Sequence, residues 1–316
     1  MRIVVALGGN ALLERGERPD ADIQEGHVRG ACAALTPLAR DHQLIITHGN
    51  GPQVGVLALE SAADPALARP YPFDALGAQT QGLIGYWIAQ AFSQALPGRP
   101  VGCLLCRVLV DADDPAMSHP AKFVGPVYDE ATARRLTDGR GWRLHRDGDW
   151  WRRVVPSPEP RQIVEMDLIE GLAATGAIVV CAGGGGIPVT SDPAGGLRGV
   201  EAVIDKDLTA ALLAAAVEAD ALLILTDVPA VIRDYGNASA RPIGHVTPEE
   251  LRTLSFPAGS MGPKVEAACR FAETTGGTAA IGRIDDAAAL LAGAAGTTVR
   301  RRSDQAAADA TQTNCR

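Results

Sequence analysis

Short runs of β-branched and aliphatic residues alternate with longer helix-period stretches along most of this chain, and that alternation leaves few folds open to it. Strand-like runs stand at residues 2–7, 43–47, 101–110, 177–181, 221–226 and 278–282, with helical patterns between them at 23–40, 52–62, 73–96, 163–175, 207–218 and 263–275. Strand followed by helix followed by strand predicts the α/β class, with a mainly parallel sheet covered on both faces. In such sheets ligands gather at the carboxyl ends of the strands, so the loops that follow strands are where function is expected. From about 111 to 160 the alternation lapses into a stretch rich in Pro, Asp, Arg and Trp, with Trp142, Trp150 and Trp151 close together. It reads as a subdomain protruding from the sheet, and because Lys122 lies within it, as a lid. Residues 302–316 are polar and Ala-rich and read as a disordered tail.

Composition narrows the partners. A chain of 316 residues with 47% hydrophobic content can build a substantial core, while a net charge of −8 argues against nucleic acid or an anionic membrane, both of which reward broad basic patches. Any anion must therefore be bound locally. No apolar run reaches spanning length, and Met1 leads straight into the first strand with no signal peptide, which predicts a cytoplasmic protein. The six cysteines do not form a disulfide pattern: Cys103 and Cys106, in what reads as one strand, point to opposite faces. Cys32, Cys181 and Cys269 read as small buried hydrophobes, and Cys315 falls in the tail. The histidines show no metal-ligand spacing, and His48 is read as a structural hydrogen-bonding residue.

Among 29 basic side chains only Lys122, Lys206 and Lys264 are lysines. Arginine serves solubility and surface ion pairs as well as lysine does, so positions held against it are candidates for a compact ammonium that can follow one moving oxygen. Phosphoryl transfer is chemistry of that kind. Two of the three lie at predicted helix starts, Lys206 in Asp205-Lys206-Asp207 and Lys264 after Gly259-Ser260-Met261-Gly262-Pro263. A cation is unfavourable there unless an anion faces it. Asp205 is placed to cap its helix, and Asp207 to hold Lys206 or bind a metal through water.

Glycine loops supply the complementary donors. Gly8-Gly9-Asn10 follows the first strand and Gly49-Asn50-Gly51 the second, each presenting bare amides at a strand end. The Gly183 to Gly186 run costs so much conformational entropy that it must be backbone packed against a ligand or another backbone. Thr226 and Asp227 make another polar strand end. No Walker loop and no dinucleotide-binding glycine fingerprint occurs.

Taken in order, Ala6-Leu7-Gly8-Gly9-Asn10-Ala11, His48-Gly49-Asn50-Gly51-Pro52-Gln53-Val54-Gly55, the four-glycine run with Ile187-Pro188-Val189, Gly199-Val200-Glu201-Ala202-Val203-Ile204-Asp205-Lys206-Asp207, and Gly259 to Lys264 resemble carbamate kinases of the amino-acid kinase superfamily over residues 1–301. Thr80-Gln81-Gly82, Ile84-Gly85-Tyr86-Trp87 and Val154-Val155-Pro156-Ser157-Pro158 extend the match. Two segments depart from it: Phe123 follows Lys122 where the family commonly has proline, and Gly148-Asp149-Trp150-Trp151 replaces a glycine-arginine-glycine-aromatic run.

The resemblance implies a three-layer αβα sandwich over 1–301, a cytoplasmic homodimer, with a substrate-binding half to about 200 and a nucleotide-binding half beyond. It implies reversible phosphoryl transfer between carbamoyl phosphate and ADP, giving ATP and leaving carbamate to decompose to ammonia and carbon dioxide, as in arginine breakdown. Gly8, Gly9, Asn10, Gly49, Asn50 and Gly51 would face the substrate. Lys206, Thr226, Asp227, Met261 and Lys264 would lie at the nucleotide, and Lys122, Lys206, Asp207 and Lys264 would act in catalysis. Mg²⁺ would come with the nucleotide, held by phosphates and water and by no protein ligand set. The alternatives are another superfamily kinase acting on a carboxylate, and a nucleotide-binding sensor without catalysis.

Overall fold

The computed structural model describes residues 1–302 apart from 10, 11, 15, 193 and 258. The segment expected to be a disordered tail, Cys315 with it, lies outside the described residues from 303 onward.

From the N-terminus the chain forms β1 (Arg2–Leu7), α1 (Ala21–Asp41), β2 (Gln43–His48), α2 (Gly51–Ala63), α3 (Phe73–Ala95), β3 (Val101–Cys103) and β4 (Arg107–Leu109). The stretch of lapsed alternation then gives α4 (Pro115–Ser118), β5 (Lys122–Tyr128), α5 (Glu130–Arg140), β6 (Leu144–Asp147) and β7 (Trp150–Val155). The chain returns through β8 (Gln162–Ile163), α6 (Met166–Ala174), β9 (Ile178–Val180), β10 (Ile187–Ser191), β11 (Leu197–Gly199), α7 (Lys206–Ala216) and β12 (Ala221–Thr226). It closes with β13 (Ile232–Arg233), β14 (Arg241–Pro242), β15 (His245–Val246), α8 (Pro248–Arg252), α9 (Met261–Thr275), β16 (Thr278–Arg283), α10 (Ala287–Leu291) and β17 (Thr297–Val299).

Eight strands form the main sheet in the order β15-β17-β16-β12-β1-β2-β9-β3, and every pairing is parallel except β16 with β17. Strand β1 explains why the sheet is buried on both sides. Its alternate residues enter two cores: Ile3, Val5 and Leu7 pack with Leu35 of α1 and Ile88 of α3, while Val4 and Ala6 pack with Leu213 of α7 and Phe271 of α9. Three layers result, helix, sheet, helix. Because β12, β1, β2 and β9 are adjacent and parallel, their carboxyl ends open on one edge, which brings the polar loops after them together.

The stretch that broke the alternation folds as its own antiparallel sheet, β5-β7-β6, with α5 capped by Asp129 and closed by Gly141 at φ 65°. A small apolar seam of Val54 and Ala58 on α2, Phe73 and Leu76 on α3, and Val124, Val155 and Val203 joins it to the body. At one point backbone meets backbone: a Cβ on Gly55 would lie 1.9 Å from the Gly125 Cα.

Two elements differ from the sequence reading. Residues 101–110 are two short strands in different sheets, because the Gln81 side chain clamps Cys106, accepting from its N–H at 2.8 Å and donating to its carbonyl at 3.1 Å. Cys103 and Cys106 therefore separate by a break between strands and not by alternation within one. The helix expected from 163 begins at Met166, since 162–163 pair with β4.

Candidate active site

The Asp205-Lys206-Asp207 run is the centre of the site. Asp205 is the N-cap of α7, its Oδ1 accepting from the N–H of Asp207 at 2.9 Å and of Leu208 at 3.4 Å. Its Oδ2 accepts from Lys122 Nζ, which arrives from β5. Lys206 Nζ bonds Asp207 Oδ1, and Lys264 Nζ, from the first turn of α9, bonds Asp207 Oδ2 at 3.0 Å. Lysines from three parts of the chain thus end on one three-residue run. Their exposure is graded: 9% for the Lys206 side chain, 15% for Lys264 and 32% for Lys122.

Burial sets the electrostatics. Desolvation lowers the Lys206 pKa, with Asp207 opposing and the Lys264 charge adding to the fall. At Lys264 burial pulls the same way, but attraction from Asp207, and from Asp205 and Asp227, outweighs it and raises the pKa. Burial alone would raise the Asp207 carboxyl; the two ammonium groups override it and hold the acid ionised far below its usual range. The Asp207 carboxylate opposes the desolvation of Lys206 and raises the Lys264 pKa, which favours a cationic spot at a helix start, where an anion is favoured.

The glycine loops close around that spot. Gly8 N donates to Leu225 O and Gly49 N to Leu7 O, both at 2.9 Å, which extends the strand ladders into the loops. A Cβ on Gly49 would lie 2.8 Å from Gly9 N and 3.4 Å from Lys206 Cε, so the loops after β1 and β2 touch each other and the lysine stem. Only glycine permits that approach. Gly51 opens α2 with no atom within 4 Å of a Cβ built on it. Thr226 and Asp227 stand at the end of β12, where Thr226 Oγ1 donates to Asp227 Oδ1 at 3.0 Å, and a Cβ on Gly8 would come 3.6 Å from Thr226 Cα. Met261 is the first residue of α9. Asn10, expected at the substrate, lies outside the described residues.

The four-glycine run supports the site from beneath. Cβ atoms on Gly183 and Gly184 would each lie 2.2 Å from a side chain, His48 Nε2 and Asn50 Nδ2 respectively, and one on Gly185 would lie 2.6 Å from Ile204 O. These contacts, with two side chains and one carbonyl, let the β2 loop and the segment entering α7 meet. Thr209 Oγ1 donates to Gly185 O at 2.9 Å and ties α7 to the same turn. His48 Nδ1 donates to Gly49 O at 3.0 Å, and complete burial lowers its pKa to about 4, so the ring is neutral. Asn50 is 5% exposed and donates its amide to Thr80 Oγ1 at 2.9 Å. Sequence reasoning gave Asp205 only a cap, and missed its ion pair with Lys122, 83 positions away. It also passed over Thr80 and Gln81, noted only as part of a motif.

The amino acid kinase family model matches residues 1–283. A carbamate kinase of Rhizobium meliloti is 50% identical over 303 residues, 95% of this chain and 93% of its own length. One of Haemophilus influenzae is 48% identical, covering 96% of this chain and 98% of its own. Among solved structures, carbamate kinase from Giardia lamblia bound to AMP-PNP superposes with a TM-score of 0.86 at 37% identity, over 95% of this chain and 98% of that one.

Proposed function

The chain belongs to the amino acid kinase family, among its carbamate kinases, and from that membership we propose how its residues carry phosphoryl transfer between carbamoyl phosphate and ADP. The observation behind the proposal is the gathering of Lys122, Lys206 and Lys264 on Asp205-Lys206-Asp207 at the carboxyl edge of the sheet. Gly8, Gly9, Asn10, Gly49, Asn50 and Gly51 take the carbamoyl side, with the Gly49 backbone passing close to the Lys206 stem. Thr226, Asp227, Met261 and Lys264 take the nucleotide side.

Carbamate is ionised at neutral pH and attacks without a general base, which suits a site whose one histidine is buried and neutral. The work is positioning and charge stabilisation. Lys206 and Lys264 hold the negative charge of the transferring phosphoryl and of the adjoining nucleotide phosphates, and each such contact is worth several kcal/mol, on the order of 2–4. Asp207 keeps both ammonium groups charged and fixed. Lys122 reaches the same centre from the protruding sheet.

The donor set fits a divalent ion brought by the nucleotide. Both Asp207 oxygens are engaged by lysines, and no group of three or more His, Cys, Asp or Glu among the described residues is placed to cage a metal. Mg²⁺, bound through phosphates and water, would offset the nucleotide's charge. We further propose a cytoplasmic homodimer, its oligomeric state readable by light scattering. No helix among the described residues is long and apolar enough to cross a membrane.

Purified protein with ADP, Mg²⁺ and carbamoyl phosphate is expected to form ATP, read by a coupled assay. In the reverse direction a panel of carbamate, acetate, an amino-acid carboxylate and a nucleoside monophosphate is expected to favour carbamate. Preference for another acceptor would move the chain to a different substrate, and ATP binding without turnover would make it a sensor.

A further inference from the structure

Lys122 is the one lysine of the cluster that does not belong to the sandwich, so something must set how far it reaches. It lies on β5, which pairs with β7 so that Lys122 stands opposite Val155, Phe123 opposite Val154 and Val124 opposite Arg153. The Arg153 guanidinium lies 4.1 Å from the ring centre of Trp142, inside the protruding subdomain, and 4.7 Å from that of Phe73, the first residue of α3. One of its nitrogens is 3.9 Å from Glu201 Oε1, while Glu201 Oε2 accepts from the Phe73 N–H at 2.8 Å. Glu201 is four positions before Asp205, on the segment that leads into the cluster. A single side chain, 17% exposed, therefore links the strand pair bearing Lys122, the start of α3 and the approach to Asp205.

The chemistry at that joint calls for arginine. A planar guanidinium has two faces for aromatic rings and a donor edge for a carboxylate, whereas an ammonium offers one point charge. The apolar seam with Val124 and Val155 closes one side of the joint. On the other side a cavity of about 200 Å³, bordered by Ala58, Phe73, Trp142, Arg153 and Glu201, leaves Arg153 as the group that spans the gap.

We propose that Arg153 is a positioning residue for phosphoryl transfer: by clamping the protruding sheet to Phe73 and Glu201 it fixes where Lys122 Nζ stands over the Asp205 end of the site. The proposal rests on the reading of Lys122 as a catalytic residue.

Wild type, Lys122→Ala, Arg153→Lys and the Lys122→Ala/Arg153→Lys double variant test it, with Arg153→Ala alongside and Glu201→Gln made in both the wild-type and the Lys122→Ala backgrounds. A misplacement of about 1 Å costs up to about 100-fold in rate. Arg153→Lys is expected to lower kcat for ATP formation about 10- to 100-fold while KM for ADP moves less than about 3-fold, because the nucleotide lies at Lys264. In the Lys122→Ala background the same substitution is expected to change nothing, since its effect passes through Lys122. A merely structural role predicts a further loss there of the same factor, and that result, or full activity of Arg153→Lys, overturns the proposal. If Lys122→Ala is itself as fast as wild type, the catalytic reading of Lys122 falls, which is a separate outcome. Should Arg153→Ala fail to fold, Glu201→Gln removes only the acidic partner. It is expected to lower kcat several-fold in the wild-type background and not in Lys122→Ala, and equal losses in both overturn the proposal.

Discussion

Replacing Asp207 by asparagine keeps the shape of the side chain and removes the carboxylate to which Lys206 and Lys264 both bond. Lys264 Nζ stands 3.0 Å from Oδ2 and Lys206 Nζ bonds the other oxygen, with the carboxylate 4% exposed. At an effective dielectric constant near 20 a 3.0 Å contact is worth about 5.5 kcal/mol in Coulomb energy. Desolvation offsets much of that while the pair is intact, but removing one partner leaves the others buried and uncompensated, at a cost of about 3–5 kcal/mol. For a chain of this length the loss corresponds to a fall in Tm of about 5–8 °C. Differential scanning calorimetry of wild type and Asp207→Asn, each with and without saturating ADP, measures it. At the proposed site nucleotide phosphates would bring negative charge to the same ammonium groups, so the variant should regain more stability from ADP than wild type does. A fall in Tm under about 2 °C, or an ADP-induced gain no larger than in wild type, would refute the claim that Asp207 is the internal counter-ion of a phosphate site.

Other consequences follow from single groups. His48 binds a proton in the unfolded chain near its ordinary 6.5 but only near 4 when folded, so the unfolded state holds the extra proton between those values and stability falls as pH drops through that window. The loss is about 3 kcal/mol, and urea titrations should find it absent in His48→Asn. Gly55→Ala gains about 1 kcal/mol of helix propensity in α2, yet its methyl would sit 1.9 Å from the Gly125 Cα, backbone that can give way only by moving the strand. It should push β5 away, cut kcat about 10-fold, and open residues 122–155 to limited proteolysis; unchanged proteolysis and rate would contradict the docking of that sheet.

The parts of the molecule legible in the sequence are those decided by local patterns. The strand 2–7 matched to the residue, and Asp205 capped α7 as its position before the helix suggested. The scarcity of lysine marked Lys206 and Lys264 because a cation at a helix start is locally anomalous. What escaped was decided by partners far along the chain. Nothing near Cys106 announces that Gln81, 25 positions earlier, will end the strand there. Lys122 gave no sign of its bond to Asp205, and the joint at Arg153 draws Phe73 and Glu201 from 128 positions apart. The glycine run was recognised as tightly packed, but its partners, His48, Asn50 and Ile204, are set by the sheet order that brings β2 beside β9.

The most direct measurement compares wild type with Lys206→Arg in ATP formation from carbamoyl phosphate and ADP at saturating substrates. The charge is kept and only its shape changes, at a side chain 9% exposed whose stem passes close to Gly49. Wild type is expected to form ATP rapidly and the variant to lose about 100-fold or more while remaining folded by circular dichroism. A silent wild type, or an equally fast arginine variant, would contradict a phosphoryl-transfer site built on compact ammonium groups.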